Sequence, residues 1–191
     1  MKLCVLVKQV PGSESALRIA SSNTWIEDTA ALFEMNESDN YALEEALQIK
    51  EALGNDPEVV VVSMGPERVQ KVIREALAKG ADRGIHINEI TEIKSDPFAT
   101  AQVFANVIKD ENFDIIFTGL QSDDVGSGQT GVILGELLGM ATATLVMATE
   151  VQEGSIKVKR ELESGWFQWV TMPTPASITI QSGINQPRYP S

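Results

Sequence analysis

The sequence predicts an α/β fold: a Rossmann-like parallel sheet flanked by helices, with a C-terminal β-hairpin or meander extension. Short apolar runs at residues 59–64 and 114–118 are typical of strands buried on both faces. They alternate with segments of helical periodicity, such as residues 41–53, and this alternation indicates parallel strands joined by helices. After Ala141 the pattern changes to short strands separated by turns, which predicts the extension.

In the first third of the chain, a buried strand and a helix are predicted. Residues 1–8 form a short apolar run with β-branched side chains, which is typical of a buried strand. Residues 24–26 suggest a second, short strand in an excursion. A helix follows from Ser38, because apolar residues recur there at helical spacing, and Gly54 ends it. Three polar residues are candidates to cap its start: Asn36, Ser38 and Asp39.

The rest of the chain repeats the strand–helix unit and then departs from it. The strand at 59–64 leads through Pro66 into a helix, since proline suits the first helical turn, and Gly80 ends that helix. Strand, helix, strand, glycine-rich loop and helix follow, at residues 84–87, 97–109, 114–118, 119–131 and 130–138. The extension comprises four strands, at residues 145–151, 156–160, 167–171 and 176–180. Trp166 and Trp169 fall in this extension, where interface or core packing suits them.

Length and charge limit the class of protein. At 191 residues the chain fits a single α/β domain, residues 1–191, and no composition break divides it. The net charge of -12, from 15 basic and 27 acidic residues, argues against nucleic acid as a partner, because phosphates need clustered Lys and Arg. No apolar run is long enough to span a membrane, so we expect no membrane insertion. The expected location is cytoplasmic or, in a eukaryote, the mitochondrial matrix.

Few residues offer catalytic or metal chemistry. The single cysteine, Cys4, lies in an apolar run, so we expect a buried thiol rather than a disulfide or a metal ligand. The single histidine, His86, has no second histidine or cysteine to join it, which argues against a zinc site or a Ser–His pair. The adjacent acids Glu44 and Glu45 are interpreted as a solvated helix face. We therefore predict no catalytic residue and no metal site.

The glycine-rich loop at residues 119–131 is the most informative stretch for function. Its glycines permit a close approach of backbone amides to an anion, and a helix begins directly afterwards. The loop lacks the lysine of a Walker loop, and residues 8–11 after the first strand lack the glycines of the dinucleotide fingerprint. Two aspartates within the loop would repel a polyphosphate unless they point away or hold a metal. These residues alone are equally consistent with a phosphate site and with a plain flexible turn.

Two other segments are expected to meet this loop. Residues 36–39 precede the first helix, and Met64 ends the second long strand. Capping and turn formation can explain both segments by themselves. In a parallel sheet, however, the carboxyl ends of the strands meet at one edge, and open α/β folds bind ligands there. The convergence of three such segments favours a ligand site at this edge.

Several segments, taken in order, match one known family. They are V-L-V-K-Q-V-P at 5–11, M-N at 35–36 with Y-A-L-E-E-A-L at 41–47, S-M-G-P at 63–66, A-L-A-K-G-A-D-R at 76–83, G-L-Q-S-D-D-V-G-S-G-Q-T-G at 119–131, V-K-R-E-L-E-S-G at 158–165 with Pro175, and N-Q-P-R-Y-P at 185–190. On these segments the chain resembles the beta subunit of electron transfer flavoproteins along almost its whole length. No single segment is specific to this family, but the number of matching segments and their order are.

The resemblance implies an electron carrier rather than an enzyme with bond-making catalysis. In that family the FAD is held mainly by an alpha subunit, and the beta subunit binds AMP as a structural element. Electrons pass from flavin-dependent dehydrogenases, of acyl-CoA or methylamine type, to a quinone oxidoreductase or another acceptor. The AMP phosphate would lie on the amides of residues 126–130. Carried over residue by residue, the AMP contacts fall at Leu6, Asn36, Glu37, Ser38, Asp39, Met64, Gly119, Gln121, Ser122, Asp123, Gly126, Ser127, Gly128, Gln129 and Thr130.

The chain departs from the family pattern at two places, and two alternatives stay open. Glu37 stands where many members have proline, a variant that looks closer to subunits serving methylamine-type dehydrogenases. Electron-bifurcating relatives hold a second FAD in place of AMP, but the tail at 185–189 resembles the non-bifurcating type, so AMP is expected. A stand-alone adenine-nucleotide-binding protein is the other alternative. The resemblance also implies a C-terminal recognition loop and arm, which we expect to be absent after residue 191.

Overall fold

The computed structural model of this chain describes residues 1–29, 31–54, 56–88 and 96–190. These residues form strands and α-helices in the order β1 (Lys2–Leu6), β2 (Gln9–Pro11), β3 (Phe33–Met35), α1 (Glu37–Ala52), β4 (Glu58–Gly65), α2 (Gln70–Lys79), β5 (Arg83–Asn88), α3 (Pro97–Ile108), β6 (Ile115–Gly119), α4 (Thr130–Leu137), β7 (Ala141–Gln152), β8 (Ser155–Glu161), β9 (Phe167–Pro173) and β10 (Ala176–Ile180). None of these helices is long and apolar enough to cross a membrane.

An eight-stranded sheet, with strand order β5-β4-β1-β6-β10-β7-β8-β9, forms the centre of the molecule. The pairs from β5 to β7 are parallel, and the pairs β7–β8 and β8–β9 are antiparallel. The predicted α/β class with an antiparallel C-terminal extension is therefore confirmed. Because β1, β4 and β6 run in the same direction side by side, their carboxyl ends lie at one edge of the sheet.

Helices cover both faces of the parallel part. Alternate residues of β1 point to opposite faces, so Leu3 and Val5 pack with α1, whereas Cys4 and Leu6 pack with α3 and α4. Cys4 is fully buried, as expected, and burial raises the pKa of its thiol. Such strands are buried on both faces, which explains why they read as continuous apolar runs in the sequence.

The position of β10 differs from the prediction. The sequence suggested a strand of the meander, but β10 lies inside the sheet, parallel to both β6 and β7. All five of its residues are buried, which suits a central strand rather than an edge strand of an extension. The strand itself was predicted correctly, but its neighbours are far away in the sequence, and local pattern carries no information about them.

The excursion after β1 also differs. Residues 24–26 form no strand, and only an isolated bridge joins Ile19 to Ile26. The pairing instead occurs between β2 and β3, where Gln9 lies opposite Met35 in an antiparallel hairpin. Strands of three residues are too short to show a recognisable alternation of apolar and polar residues. In addition, proline is uncommon within strands, so Pro11 argued against a strand at this position.

Glu44 and Glu45 of α1 are not the solvated face that the sequence suggested. They retain only 4% and 8% of their accessible surface, because the C-terminal tail, residues 181–190, lies along this helix. The guanidinium of Arg188 in the tail donates two hydrogen bonds to the Glu44 carboxylate, at 2.8 and 3.0 Å, and its backbone N–H donates a third at 3.1 Å. Burial by itself raises the pKa of Glu44, but the hydrogen bonds from Arg188 and Gln48 outweigh it and lower the pKa. Sequence adjacency could not reveal a partner so far along the chain.

Candidate functional site

A cavity of about 250 Å³ lies at the carboxyl edge of the sheet, where β1, β4 and β6 end. One side is apolar and consists of Leu6 from β1, Met64 from β4, and Pro97 and Phe104 from α3. The other side is the polar loop between β6 and α4. An apolar wall opposite a few polar groups is the usual composition of a small-molecule site.

The loop presents backbone amides to this cavity just before α4. Within the described residues, the N–H groups of Ser127, Gly128 and Gln129 donate to no other protein group. Gly128 has a φ of +62°, a left-handed conformation that is costly for residues with a side chain. Free amides together with the positive end of α4 form a site that favours an anion such as phosphate.

A glycine at the first turn of α4 lets this helix lie close to the sheet. A Cβ atom added to Gly131 would fall 3.0 Å from the methyl group of Thr179 in β10 and still closer to Thr118 in β6. The carbonyl oxygen of Gly131 also accepts a hydrogen bond of 2.9 Å from the buried hydroxyl of Ser177. The amino end of α4 is therefore fixed directly above the ends of β6 and β10.

Asn36 and Ser38 hold the first half of the loop. The side-chain amide of Asn36 and the hydroxyl of Ser38 both donate to the carbonyl oxygen of Gln121, at 3.0 and 2.7 Å. The side-chain oxygen of Asn36 accepts from the backbone N–H of Asp123 at 2.9 Å. Asn36 was a candidate cap for α1, and it does occupy the position before the helix, but its side chain makes no capping bond. It is bonded to the loop instead.

Asp39 joins two strand ends beneath the cavity. Its carboxylate accepts hydrogen bonds from the backbone N–H groups of Lys8, at 2.7 Å, and of Gly119, at 2.9 Å. Burial raises the pKa of Asp39 to about 7, although the two backbone hydrogen bonds and the nearby Lys8 ammonium act in the opposite direction. A Cβ atom at Gly119 would collide with Asp39 and Ser38, so glycine is required there for this close approach.

The two acids of the loop, which the sequence left without an explanation, have partners. The Lys8 ammonium lies 2.6 Å from the Asp124 carboxylate and 3.2 Å from the Ser122 hydroxyl. Burial favours a raised pKa for Asp124, but the bonds from Lys8 and Ser122 prevail and lower it. Asp123 accepts from the backbone N–H of Glu37 at 3.1 Å. Across the described residues, no group of three or more His, Cys, Asp or Glu side chains is placed to hold a metal ion.

The structure brings most of the predicted contact residues together around this cavity. Those that line it are Leu6, Asn36, Asp39, Met64, Gly119, Gln121, Ser122, Ser127, Gly128, Gln129 and Thr130. Glu37, Ser38, Asp123 and Gly126 are not among the described lining residues; the first three belong to the network that fixes the loop. The N–H of Gly126 is bonded to the carbonyl oxygen of Ser122 at 2.8 Å. As ligand contacts, all of these positions remain predictions.

Sequence reasoning missed the contribution of α3. Pro97, Thr100 and Phe104 line the cavity, and so does Lys8 after β1. A usable signal did exist, because α3 follows β5 in a parallel sheet, and its first turn must therefore begin at the ligand-binding edge. Phe104 lies two turns further along, and its place in the wall depends on tertiary packing.

Comparison with known proteins places the chain in a family. The model of the electron transfer flavoprotein domain matches residues 24–191. The chain belongs to the electron transfer flavoprotein beta-subunit family. It is 39% identical over 193 residues to the electron transfer flavoprotein subunit beta of Methylophilus methylotrophus, a match that covers 100% of this chain and 73% of that protein. The corresponding subunit of Bradyrhizobium diazoefficiens is 39% identical over 191 residues, covering 100% of this chain and 75% of that protein.

Similar members of this flavoprotein family occur in other organisms as well. The beta subunit of Bacillus subtilis is 34% identical over 192 residues, with 100% of this chain and 73% of that protein covered. The mitochondrial beta subunit of Arabidopsis thaliana is 36% identical over 193 residues, with 100% and 75% covered. The predicted resemblance is thus confirmed at the level of the family, and the name of the family describes electron transfer with a flavin.

Proposed function

We propose that this chain is the AMP-binding beta subunit of a heterodimeric electron transfer flavoprotein. The observation that carries the proposal is the cavity at the sheet edge, with its apolar wall and its free amides at the start of α4. Family membership supports a role in electron transfer, and the composition of the cavity suits a mononucleotide.

The two sides of the cavity suit the two ends of AMP. Leu6, Met64 and Phe104 would face the adenine ring, which needs apolar contact. The amides of Ser127, Gly128 and Gln129 would bind the phosphate, because they are free donors at the positive end of a helix. In this role AMP supplies no reactive group and serves as part of the folded core.

The tail at residues 185–189 favours AMP over a second FAD, because N-Q-P-R-Y resembles the non-bifurcating members of the family. The cavity of about 250 Å³ is partly open, and its volume does not distinguish AMP from the AMP moiety of FAD. A bifurcating subunit is therefore the less favoured alternative. A stand-alone adenine-nucleotide-binding protein would keep the cavity and need no partner.

In the proposed complex, the beta subunit has no bond-making chemistry of its own. FAD would be held mainly by the alpha subunit and would supply the redox chemistry. The complex would accept electrons from a flavin-dependent dehydrogenase and pass them to a quinone oxidoreductase or another acceptor. The task of this chain would be to fold around AMP and to present a surface for the partner.

Mass spectrometry of the ligand released by denaturing the purified protein tests this proposal. We expect AMP in a molar ratio near one, and a colourless protein when the chain is purified alone. Co-expression with the alpha subunit should give a yellow complex that contains FAD. A stoichiometric flavin in the chain alone would support the bifurcating alternative, and bound ATP would support the stand-alone one. Protein that contains no nucleotide and cannot be loaded with AMP would disprove the binding site.

A further inference from the structure

Lys8 combines a place in the cavity wall with a positive charge. Among the described residues that line the cavity, it is the only lysine or arginine. Its ammonium donates to the Asp124 carboxylate at 2.6 Å and to the Ser122 hydroxyl at 3.2 Å, and both acceptors belong to the loop between β6 and α4. An ammonium has three N–H donors, so one donor of Lys8 remains without a partner in the part of the chain that the structure describes.

The backbone of Lys8 is fixed at the edge of the cavity. Its N–H donates to the buried Asp39 carboxylate at 2.7 Å, and its carbonyl oxygen accepts from the N–H of Asn36 at 2.9 Å. Lys8 is thus bonded to the start of α1 through its backbone and to the loop through its side chain. The side chain keeps 43% of its surface accessible, so its ammonium is open to a ligand that enters from solvent.

The charges around the cavity call for a cation near the phosphate. The phosphate of a mononucleotide carries about -1.5 to -2 charges at neutral pH. The amides before α4 offer only the partial charge of a helix end, roughly +0.5. Asp39 in the cavity wall is itself an acid, and residues 119–131 include no lysine or arginine. A full positive charge therefore has to come from another element, and among the described lining residues Lys8 supplies it.

We infer that the Lys8 ammonium binds the phosphate of the mononucleotide, and that Asp124 and Ser122 hold this ammonium in position. The inference rests on the proposed function, because that proposal supplies the mononucleotide. In Walker loops the lysine that reaches the phosphates belongs to the glycine-rich loop itself. Here the lysine follows the neighbouring strand β1 and is joined to the loop by its bond to Asp124. Since charged hydrogen bonds are stronger than neutral ones, Lys8 should contribute much of the preference for a phosphorylated nucleoside.

A comparison of AMP with adenosine tests the inference, because adenosine lacks only the phosphate. The purified chain is stripped of nucleotide and refolded, and its affinity for each compound is measured by calorimetry. Lys8→Met should weaken AMP binding roughly tenfold or more and adenosine binding less than about twofold. Lys8→Arg restores the charge and should keep AMP binding within about threefold of the unmodified chain. Lys109→Met, the matched control, removes the same charge at the far end of α3 and should change neither affinity.

A double substitution separates phosphate binding from charge masking. If Lys8 only neutralised Asp124, it would be dispensable once Asp124 is replaced by asparagine. The double variant of Lys8→Met and Asp124→Asn would then bind AMP as tightly as Asp124→Asn alone. Direct binding predicts instead that the double variant binds AMP at least about fivefold more weakly than Asp124→Asn.

Acetylation of lysines tests the contact without any substitution. Only the unprotonated amine reacts, and a phosphate bonded to the ammonium stabilises the protonated form. In the unmodified chain, AMP should therefore slow the acetylation of Lys8, measured by mass spectrometry of peptides, whereas adenosine should not. Lys109 is the internal control, and its rate should be the same with either compound.

Several outcomes would overturn the inference. Unchanged AMP affinity in Lys8→Met would exclude the contact, and equal losses of AMP and adenosine affinity would assign Lys8 a purely structural role. A double variant that binds AMP as tightly as Asp124→Asn would assign it charge masking. If Lys8→Met does not fold, acetylation of Lys8 that AMP fails to slow decides against the contact. If the unmodified chain binds no AMP, the proposed function fails as well. If it binds AMP and only the predictions for Lys8 fail, the AMP site stands and Lys8 is wrongly assigned.

Discussion

The carboxylate of Asp39 accepts a hydrogen bond of 2.7 Å from the backbone N–H of Lys8, which bonds the first turn of α1 to the segment after β1. Its second oxygen accepts from Gly119 at 2.9 Å, so one buried side chain connects three elements beneath the cavity. The shape of the cavity therefore depends on a hydrogen-bond acceptor, the Asp39 carboxylate, that need not contact the ligand.

Replacing Asp39 with alanine should destabilise the protein. Two backbone N–H groups would lose their acceptor, and an unsatisfied buried donor costs about 1–3 kcal/mol, so we expect the free energy of unfolding to fall by about 2–4 kcal/mol. Urea denaturation measures this loss. Asp56→Ala, at an exposed position, should change the value by less than about 0.5 kcal/mol. Equal stability of Asp39→Ala and the unmodified chain would show that these two bonds contribute nothing.

Asp39 should also make stability depend on pH. Its pKa in the folded state is raised to about 7, from an ordinary value of 3.8, so between these values the folded state binds a proton that the unfolded state has released. The unfolding free energy should therefore fall as pH rises from about 4 to 7, by at most about 1.4 kcal/mol per pH unit. Asp39→Asn should not show this contribution to the pH dependence of the unfolding free energy. The measurement is the difference in unfolding free energy between the two proteins at each pH, and a flat difference would contradict the raised pKa.

Gly128→Val should remove the nucleotide while leaving the fold intact. Gly128 has a φ of +62°, so a β-branched side chain there would strain the backbone that carries the free amides, and its Cβ would lie 3.5 Å from the carbonyl oxygen of Leu120. Gly154 in the turn between β7 and β8 has a φ of +68° and open space around it, so Gly154→Val imposes similar strain far from the cavity. Both variants should lose about 1–2 kcal/mol of stability. Only Gly128→Val should release less AMP on denaturation; full occupancy in it would reject the phosphate site.

Arg188→Gln should detach the tail from α1. Arg188 bonds Glu44 in a bidentate manner and also contacts Glu51. Since Glu44 is buried, removing the guanidinium leaves a poorly compensated charge, and we expect a loss of about 2 kcal/mol. Glu150→Gln breaks the exposed pair with Lys157 and should cost less than about 0.5 kcal/mol. Thermal and urea unfolding would compare the two, and similar small losses would mean that solvent already screens Glu44.

Much of the fold could be predicted from the sequence because each central strand is buried on both faces. The apolar run of β4 and the helical periodicity of α1 are local signals, and both elements occur where they were predicted. The neighbours of β10 and the burial of Glu44 depend on contacts between residues far apart in the sequence. No local pattern encodes such contacts, and there the predictions were wrong.

The site shows the same division. The glycine-rich loop and the segment at 36–39 could be placed at one edge, since parallel topology alone determines where they meet. The roles within that cluster could not be assigned. Asn36 binds the loop rather than capping α1, and Lys8 pairs with Asp124, because side-chain partners depend on the packed backbone. The contribution of Phe104 depends on the docking of α3 and has no counterpart in the sequence pattern.

The insertion of β10 has a consequence for the order of folding. Until residues 176–180 pair, β1 is the only neighbour of β6 and β8 the only neighbour of β7 among the described strands, so the sheet exists as two separate parts with open apolar edges. Contacts between strands distant in sequence form slowly, and chains emerge from the ribosome amino end first. The backbone N–H of Leu120 bonds to the carbonyl oxygen of Ile180, and Gly131 bonds to Ser177, so these two bonds of the loop form only when β10 pairs. We therefore expect folding intermediates in which β1, β4 and β6 are already paired to hold the loop through Asn36, Ser38 and Asp39 but to lack the complete cavity.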